Sequence, residues 1–494
     1  MARFRPDDIK REQRRGMALA CGDYYTAAVA EDGRLWACGN FGWNDHHKLG
    51  RGTQGSGPLP LLVGSHDAVF DGEGVLMVAA GGHHTACVTG SGKLWTWGHN
   101  SHGQLGLGTY VNRKFPVMLS FPPSAGRVLM VSCGRQHTLA LTATKLVWSC
   151  GCGLYGRLGH DDEENRGFLR RIHTEGFEDI VMIAAGSVHS MALKTGGAVW
   201  TWGRGNLGQL GRVDQQLGPA QLPLSAFDGV PAEQVAAGQY HSMVVAKQGA
   251  LWAFGSGAYG QLGTGGMGDS AAQHLPVLVG AGMEFGSCIV VNVACGDNHT
   301  MAITKGGVLW TFGDGLYTGH NLMPPMGGLN ANTPEPKRID ACHFGGARVV
   351  SVAGGPRTSA AATDRGTVYT WGHKGCGGHR DGKEKARPTL VDTGLFGGAR
   401  IGRAQLLPQA HALAFAMGTH ARLGRGVSPG ASRRSRRQHG TAPASEALDD
   451  SRGCVYAMLS SELMELIVKA CFSAPEGSSH MSQAVLRTMG CGSC

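Results

Sequence analysis

The run Gly82-His83-His84-Thr85-Ala86-Cys87-Val88-Thr89 is followed at once by Gly92-Lys93-Leu94-Trp95-Thr96-Trp97-Gly98 and then Gly103-Gln104-Leu105-Gly106. It recurs with small changes from residue 22 to about residue 415. Glycines that open a G-x-x-H-[TS] half stand at 22, 81, 134, 186, 238, 296 and 354. Glycines that close a G-x-[LV]-[WY]-x-[WFC]-G half stand at 39, 98, 151, 203, 255, 313 and 372, spaced by 59, 53, 52, 52, 58 and 59 residues. A period near fifty residues marks a repeat architecture, in which each unit completes its core against its neighbours.

Each unit reads as four short strands. Thr85 to Thr89, Leu94 to Trp97, Pro116 to Leu119 and Val128 to Val131 are β-prone and bounded by turn residues. Leu94 and Thr96 point to one face of their strand, Trp95 and Trp97 to the other. Both faces are apolar, so each sheet has to be covered on both sides. Four-stranded sheets stacked radially about an axis achieve this. The expected fold class is all-β, a seven-bladed β-propeller of four-stranded blades. Trp95, Trp97, Trp200, Trp202, Trp252 and Trp310 are expected to lie buried between blades.

G-x-x-H-T, then G-x-L-W-x-W-G, then G-Q-L-G-x-G resembles the repeat of the regulator-of-chromosome-condensation family, a seven-bladed propeller. The likeness covers roughly four hundred of the 494 residues. It is specific for fold and weaker for function, because one propeller serves many purposes.

The formal charge of +9 is uneven. Residues 1–15 carry net +3, residues 425–440 carry five arginines and no acid, and residues 441–494 carry net −3. What remains is a mildly basic body, which is not a nucleic-acid-binding composition; the basic tail is the one stretch suited to nucleic acid. No apolar signal core stands at the N-terminus and no run of about 18 apolar residues is present, so neither secretion nor a membrane partner is expected. The 14 cysteines read as free thiols in a reducing nuclear or cytoplasmic compartment.

The expected organisation is a charged tail over 1–16, the propeller over 17–417, a basic disordered linker over 418–452, an amphipathic helix over 453–472 and a tail over 473–494. Within the linker, Arg433, Arg434, Arg436 and Arg437 have the composition of a nuclear address or of a solvated linker. Leu406 to Phe415 looks like a surplus repeat half, so ring closure has two readings: seven blades with a redundant strand pair, or an eighth blade shared between the termini. The seventh repeat carries Arg357 where the others carry histidine.

His84, His137, His189, His241 and His299 invite a catalytic or metal reading. One histidine per blade at an equivalent site cannot converge on an ion, so each is expected to bond the backbone of its turn or the next blade. No motif for a cofactor, metal or nucleophile is present, and no catalytic residue is assigned. The two residues between glycine and histidine vary freely. They should form a ring on one face, with Asp23, Tyr24, His83, Arg135, Gln136, Gln239, Tyr240, Asp297 and Asn298 as the partner-binding set.

The resemblance implies three uses. The first is a non-catalytic protein-interaction platform, which these residues fit. The second is guanine-nucleotide exchange on a Ran-like small GTPase at chromatin; Asp23 and Asp297 are similar to an acidic site of that kind. The third is UV-B perception, which the resemblance ties to G-W-R-H-T tryptophans. No repeat here has tryptophan after its glycine. The expected partner is thus a protein, a small GTPase or a chromatin-associated protein among the candidates. A ligase domain, which some relatives of this type carry, would need several hundred more residues than the tail supplies.

Overall fold

The computed structural model describes residues 19–39, 47–52, 57–64, 69–213, 217–321 and 332–392. The surplus half at 406–415, the arginines at 433–437, the helix at 453–472 and both expected tails lie outside the described residues.

Seven antiparallel four-stranded sheets form the propeller, and the strands of each lie in sequence order. Blade 2 is typical, with strands Val75–Ala80, His84–Thr89, Leu94–Gly98 and Arg113–Met118. Blades 1 and 3 to 7 span residues 19–62, 128–171, 180–221, 232–278, 290–338 and 349–390. The strand at Val128–Cys133 therefore opens blade 3 rather than completing blade 2, so the sequence repeat runs one strand out of phase with the structural one.

First strands line the axis. Each touches the first strands of both neighbouring blades, and Val349–Gly354 of blade 7 touches Leu19–Gly22 of blade 1. Among the described residues the ring closes without exchange of a strand between its ends, and every blade comes from one continuous stretch. Second and third strands are buried along nearly their whole length, as His84–Thr89 and Leu94–Gly98 are. Fourth strands such as Arg113–Met118 face solvent on one side. Blade 4 is the exception, its fourth strand being only Ala220–Gln221.

Each interface between blades is an apolar cluster. Trp200 and Trp202 of blade 4 pack with Leu139, Leu141 and Val147 of blade 3, and Trp310 of blade 6 packs with Met243 and Val245 of blade 5. All six tryptophans named above are buried, at 0–9 % exposure. In five blades a phenylalanine from the preceding turn meets the outer ring of the third strand edge-on: Phe70 on Trp95, Phe177 on Trp200, Phe227 on Trp252, Phe285 on Trp310 and Phe344 on Tyr369, at 5.1–6.0 Å between centroids.

The register corrects the seventh repeat. Thr358 pairs with Gly372 just as His84 pairs with Gly98, and Gly354 pairs with Ser359 as Ala80 pairs with Thr85. The motif glycine of blade 7 is therefore Gly355, its histidine site holds Thr358, and Arg357 belongs to the variable pair. The doubled glycine Gly354-Gly355 caused the one-residue slip.

Candidate functional site

The recurrent glycine and histidine build the floor of the axial face. A side chain at Gly81, Gly134, Gly186, Gly238 or Gly296 would come within 2.3–2.6 Å of the motif-glycine carbonyl of the next blade. It would also meet the imidazole of its own blade. Glycine stands there because two backbones and a ring share the space. Loop amides then donate from blade to blade: Asp23 to Gly82, Gly82 to Gly134, Ser187 to Gly238 and Gln239 to Asp297.

The five histidines are fully buried and join neighbouring blades. Nε2 of His84, His137, His189, His241 and His299 lies 2.8–3.0 Å from the hydroxyl of Thr138, Ser190, Ser242, Thr300 and Ser359, one blade on. Those hydroxyls donate in turn to the carbonyls of Gln104, Arg157, Gln209, Gln261 and Tyr317, in the turn after the third strand of the histidine's own blade. The hydroxyl proton is committed, so Nε2 is the donor to the hydroxyl. The bond partner is thus a side chain of the next blade and not backbone, as the sequence reading expected. Burial pushes His84, His189, His241 and His299 down to about 3, and His137 in the same direction. Carbonyls at this turn position also take the indole N–H of the inner tryptophans: Trp202 donates to Arg157, Trp371 to Tyr317 and Trp97 to Lys48, the carbonyl that Thr85 also reaches.

Between blades 1 and 2 the bond is made by Tyr25, whose hydroxyl donates to the carbonyl of His84. Between blades 7 and 1 it is missing. No histidine ring stands at Thr358 to reach across, and among the described residues its buried hydroxyl makes no hydrogen bond to blade 1.

Above this floor the variable loop residues diverge in fate. Gly82, Ser187 and Val188 are buried, so packing does restrict part of the ring. Asp23, Tyr24, His83, Gln136, Gln239, Tyr240, Asp297 and Asn298 are half-buried, and Arg135 and Arg357 are exposed. Ser187 of blade 4 donates to Asp297 of blade 6 over 3.4 Å, passing over blade 5, which places the carboxyl at the axis. His83 Nε2 lies 3.9 Å from Asp23. Arg135 and Arg357 act electrostatically on both Asp23 and Asp297, so blades 1, 3, 6 and 7 contribute opposite charges to one axial cluster. Burial raises Asp297 to about 6, and Arg135 pulls the other way. Asp23 is raised by burial against Lys48 and Arg135.

Two aromatic and cationic patches flank the cluster. Tyr24 holds Arg357 at 5.0 Å and Lys48 at 5.8 Å over its ring, with His373 edge-on at 5.2 Å. Arg204 lies 4.8 Å from the Tyr155 ring and 5.7 Å from Tyr240. Lys48, Tyr155, Arg204 and His373 sit in the turns after third strands, outside the loops between glycine and histidine that the sequence pattern marks as variable. Gln136 and Asn298 contribute backbone, their carbonyls accepting from Cys152 and Asp314. Among the described residues no group of three or more His, Cys, Asp or Glu is placed to hold a metal ion, and no helix is long and apolar enough to cross a membrane.

The RCC1-like domain matches residues 2–230, and the regulator of chromosome condensation (RCC1) repeat matches 248–303 in one form and 232–261 and 290–317 in another. E3 ubiquitin-protein ligase HERC2 of Homo sapiens is 33% identical over 371 residues, covering 72% of this chain but 7% of HERC2. Ultraviolet-B receptor UVR8 of Arabidopsis thaliana is 32% identical over 301 residues, 60% of this chain and 65% of UVR8. The chain thus spans less than two thirds of either relative. Among solved structures, human WBSCR16 superposes with a TM-score of 0.61 at 26% identity, over 72% of this chain and 93% of WBSCR16. Prp20p of Saccharomyces cerevisiae, described with its binding to Gsp1p and histones, superposes with a TM-score of 0.61 over 79% of this chain and 90% of its own; at 22% identity it shares the fold. Repeat motif, blade topology and these matches agree, and the chain belongs to the regulator of chromosome condensation (RCC1) repeat family.

Proposed function

We propose that the protein is a non-catalytic protein-interaction platform whose main contact is the axial loop face. One observation carries the reading: Asp23, Arg135, Asp297 and Arg357 converge from four blades on a rigid glycine and histidine floor that does not need them. Tyr24, Tyr155 and Tyr240 surround the charges with flat apolar area, the mixture that protein interfaces use. Combining Tyr240→Ala, Arg135→Glu and Asp297→Lys should abolish capture of partners from lysate. Lys247→Ala, Lys305→Glu and Asp364→Lys, in turns at the other end of the strands, should leave it intact. Loss of partners only in the second variant would move the interface to the other face.

Asp297 gives the surface a pH signature. Its folded value near 6 means that the carboxylate forms only as pH rises through 6. A partner that sets a cation on it should bind more tightly at pH 7.5 than at pH 5.5, by about tenfold or less given partial solvent screening. Asp297→Asn should flatten the difference.

A second reading is nucleotide exchange on a Ran-type GTPase. It is favoured by the two carboxylates at the axis and by the Gsp1p binding described for Prp20p. A Ran-type GTPase loaded with fluorescent GDP separates the two. Accelerated release that Asp23→Asn and Asp297→Asn abolish establishes exchange, and release at the buffer rate leaves the platform.

A further inference from the structure

Away from the axial face, at the opposite end of the strands of blade 3, an open groove of about 400 Å³ is lined by Ser124, Ala125, Leu146, Trp148, Leu169, Arg170, Arg171 and His173. Its origin is a missing ring. Phe177 enters blade 4 in a turn in which its amide donates to Thr174, three residues before Ile180, and packs on Trp200. Ala125 holds the equivalent place in blade 3, its amide donating to Pro122 three residues before Val128. Alanine leaves the space beneath Trp148 unfilled. Phe121 reaches Trp148 at 5.8 Å from an earlier position and is itself only half-buried. Trp148 is consequently half-buried, whereas Trp95, Trp200, Trp252 and Trp310 are 5–9 % exposed.

The groove has an apolar floor of Trp148, Leu146, Leu169 and Ala125 and a basic rim of Arg170, Arg171 and His173. Arg170 and His173 are exposed and Arg171 is half-buried. Neither arginine pairs with a carboxylate among the described residues, and Arg171 Nε is buried with no hydrogen-bond partner. Buried guanidinium N–H groups favour a carboxylate acceptor.

We infer that this groove binds a short acidic peptide segment of a partner protein, with one large apolar side chain seated against Trp148 and its carboxylates on Arg170, Arg171 and His173. The volume lies within the range that accepts a bulky side chain and its neighbours. A nucleic acid could also stack on Trp148, but Glu175, Glu178 and Asp179, exposed just after His173 in the chain, disfavour a continuous phosphate backbone even though Lys194 and Lys145 pair with the last two. A peptide can place its few carboxylates on the rim and avoid them.

The test uses the full chain against a phage-displayed library of random dodecapeptides. The selected peptide is then measured by fluorescence anisotropy. Selected sequences should share one large apolar residue flanked by two or more acidic residues. Ala125→Phe supplies the ring that blade 4 carries, so it should close the groove without loss of thermal stability and weaken the selected peptide at least tenfold. Arg170→Glu with Arg171→Glu should weaken it similarly, and the axial triple variant should leave it unchanged. Should Ala125→Phe fold poorly, the arginine pair alone decides. Selection of no such consensus, a peptide indifferent to the arginine pair, or tighter binding of a ten-nucleotide RNA each overturns the proposal.

Discussion

His84 spends its one N–H on Thr138, while its other ring nitrogen has no hydrogen-bond partner among the described residues, so the ring is held neutral. The consequence is a pH dependence of known sign. Folded values near 3 for four histidines lie below the 6.5 of the unfolded chain. Between these limits the unfolded state binds more protons, so stability is complete above pH 6.5 and is lost as pH falls toward 3. Each ring removes about 1.4 kcal/mol per pH unit well inside that window, an order-of-magnitude figure. The urea midpoint should therefore drop steeply from pH 7 to pH 5. His84→Gln should lower the midpoint at pH 7 yet make the drop shallower by one proton. An unchanged slope would mean that His84 protonates in the folded state. That these histidines serve packing was legible from their one-per-blade spacing. Their partners were not, because each hydroxyl lies 53 to 60 residues away and only the three-dimensional stagger of adjacent blades brings it near.

A third strand presents its inner aromatic ring to the preceding blade, and the sequence varies that ring in an informative way. Trp97, Trp202 and Trp371 share a site with Phe254, Phe312 and the thiols Cys38 and Cys150. The carbonyl that accepts the indole N–H also accepts a hydroxyl: Arg157 takes both Trp202 and Ser190. Removing the indole N–H therefore leaves no acceptor unsatisfied. Trp202→Phe should cost only about 1 kcal/mol, while Trp202→Ala should cost about 3–5 kcal/mol through the cavity it opens. Equal losses for the two variants in denaturant melts would show that the hydrogen bond, and not ring volume, holds that interface. Strand content and the inward faces were readable because glycine and tryptophan punctuate every unit. The assignment of the axis-lining strand was not, because Val128 to Cys133 follows blade 2 in sequence with no break in pattern. Arg204 and Tyr155 escaped notice for a related reason: turn sequences reveal little of which residues later meet across a ring.

Among the described residues six interfaces of the ring are bridged by a tyrosine or histidine and one is not. Between blades 7 and 1 the core is built largely of small side chains, Ala28, Ala30, Ala353, Ala360 and Ala362 among them, and a void of about 10 Å³ lies beside Trp36 and Val368. Thr26 keeps its bond to the carbonyl of Cys376, but no ring nitrogen reaches Thr26 from Thr358. Amide exchange should accordingly be fastest, among second strands, in Tyr25–Val29 and Thr358–Thr363. Thr358→His should slow exchange in both and raise the unfolding free energy from urea melts by about 1 kcal/mol, the worth of one buried hydrogen bond. Uniform exchange across all seven interfaces would remove the distinction.

That unbridged interface also changes what the molecule is as a mechanical object. Because each blade is contiguous and no described strand is exchanged across the closure, the propeller behaves as a split washer rather than a welded hoop. Tension between residues 19 and 392 would act on the split first, peeling blade 1 from blade 7 while the other six joints stay shut. A partner spread over Tyr24 of blade 1 and Arg357 of blade 7 would straddle the split and act as its clasp.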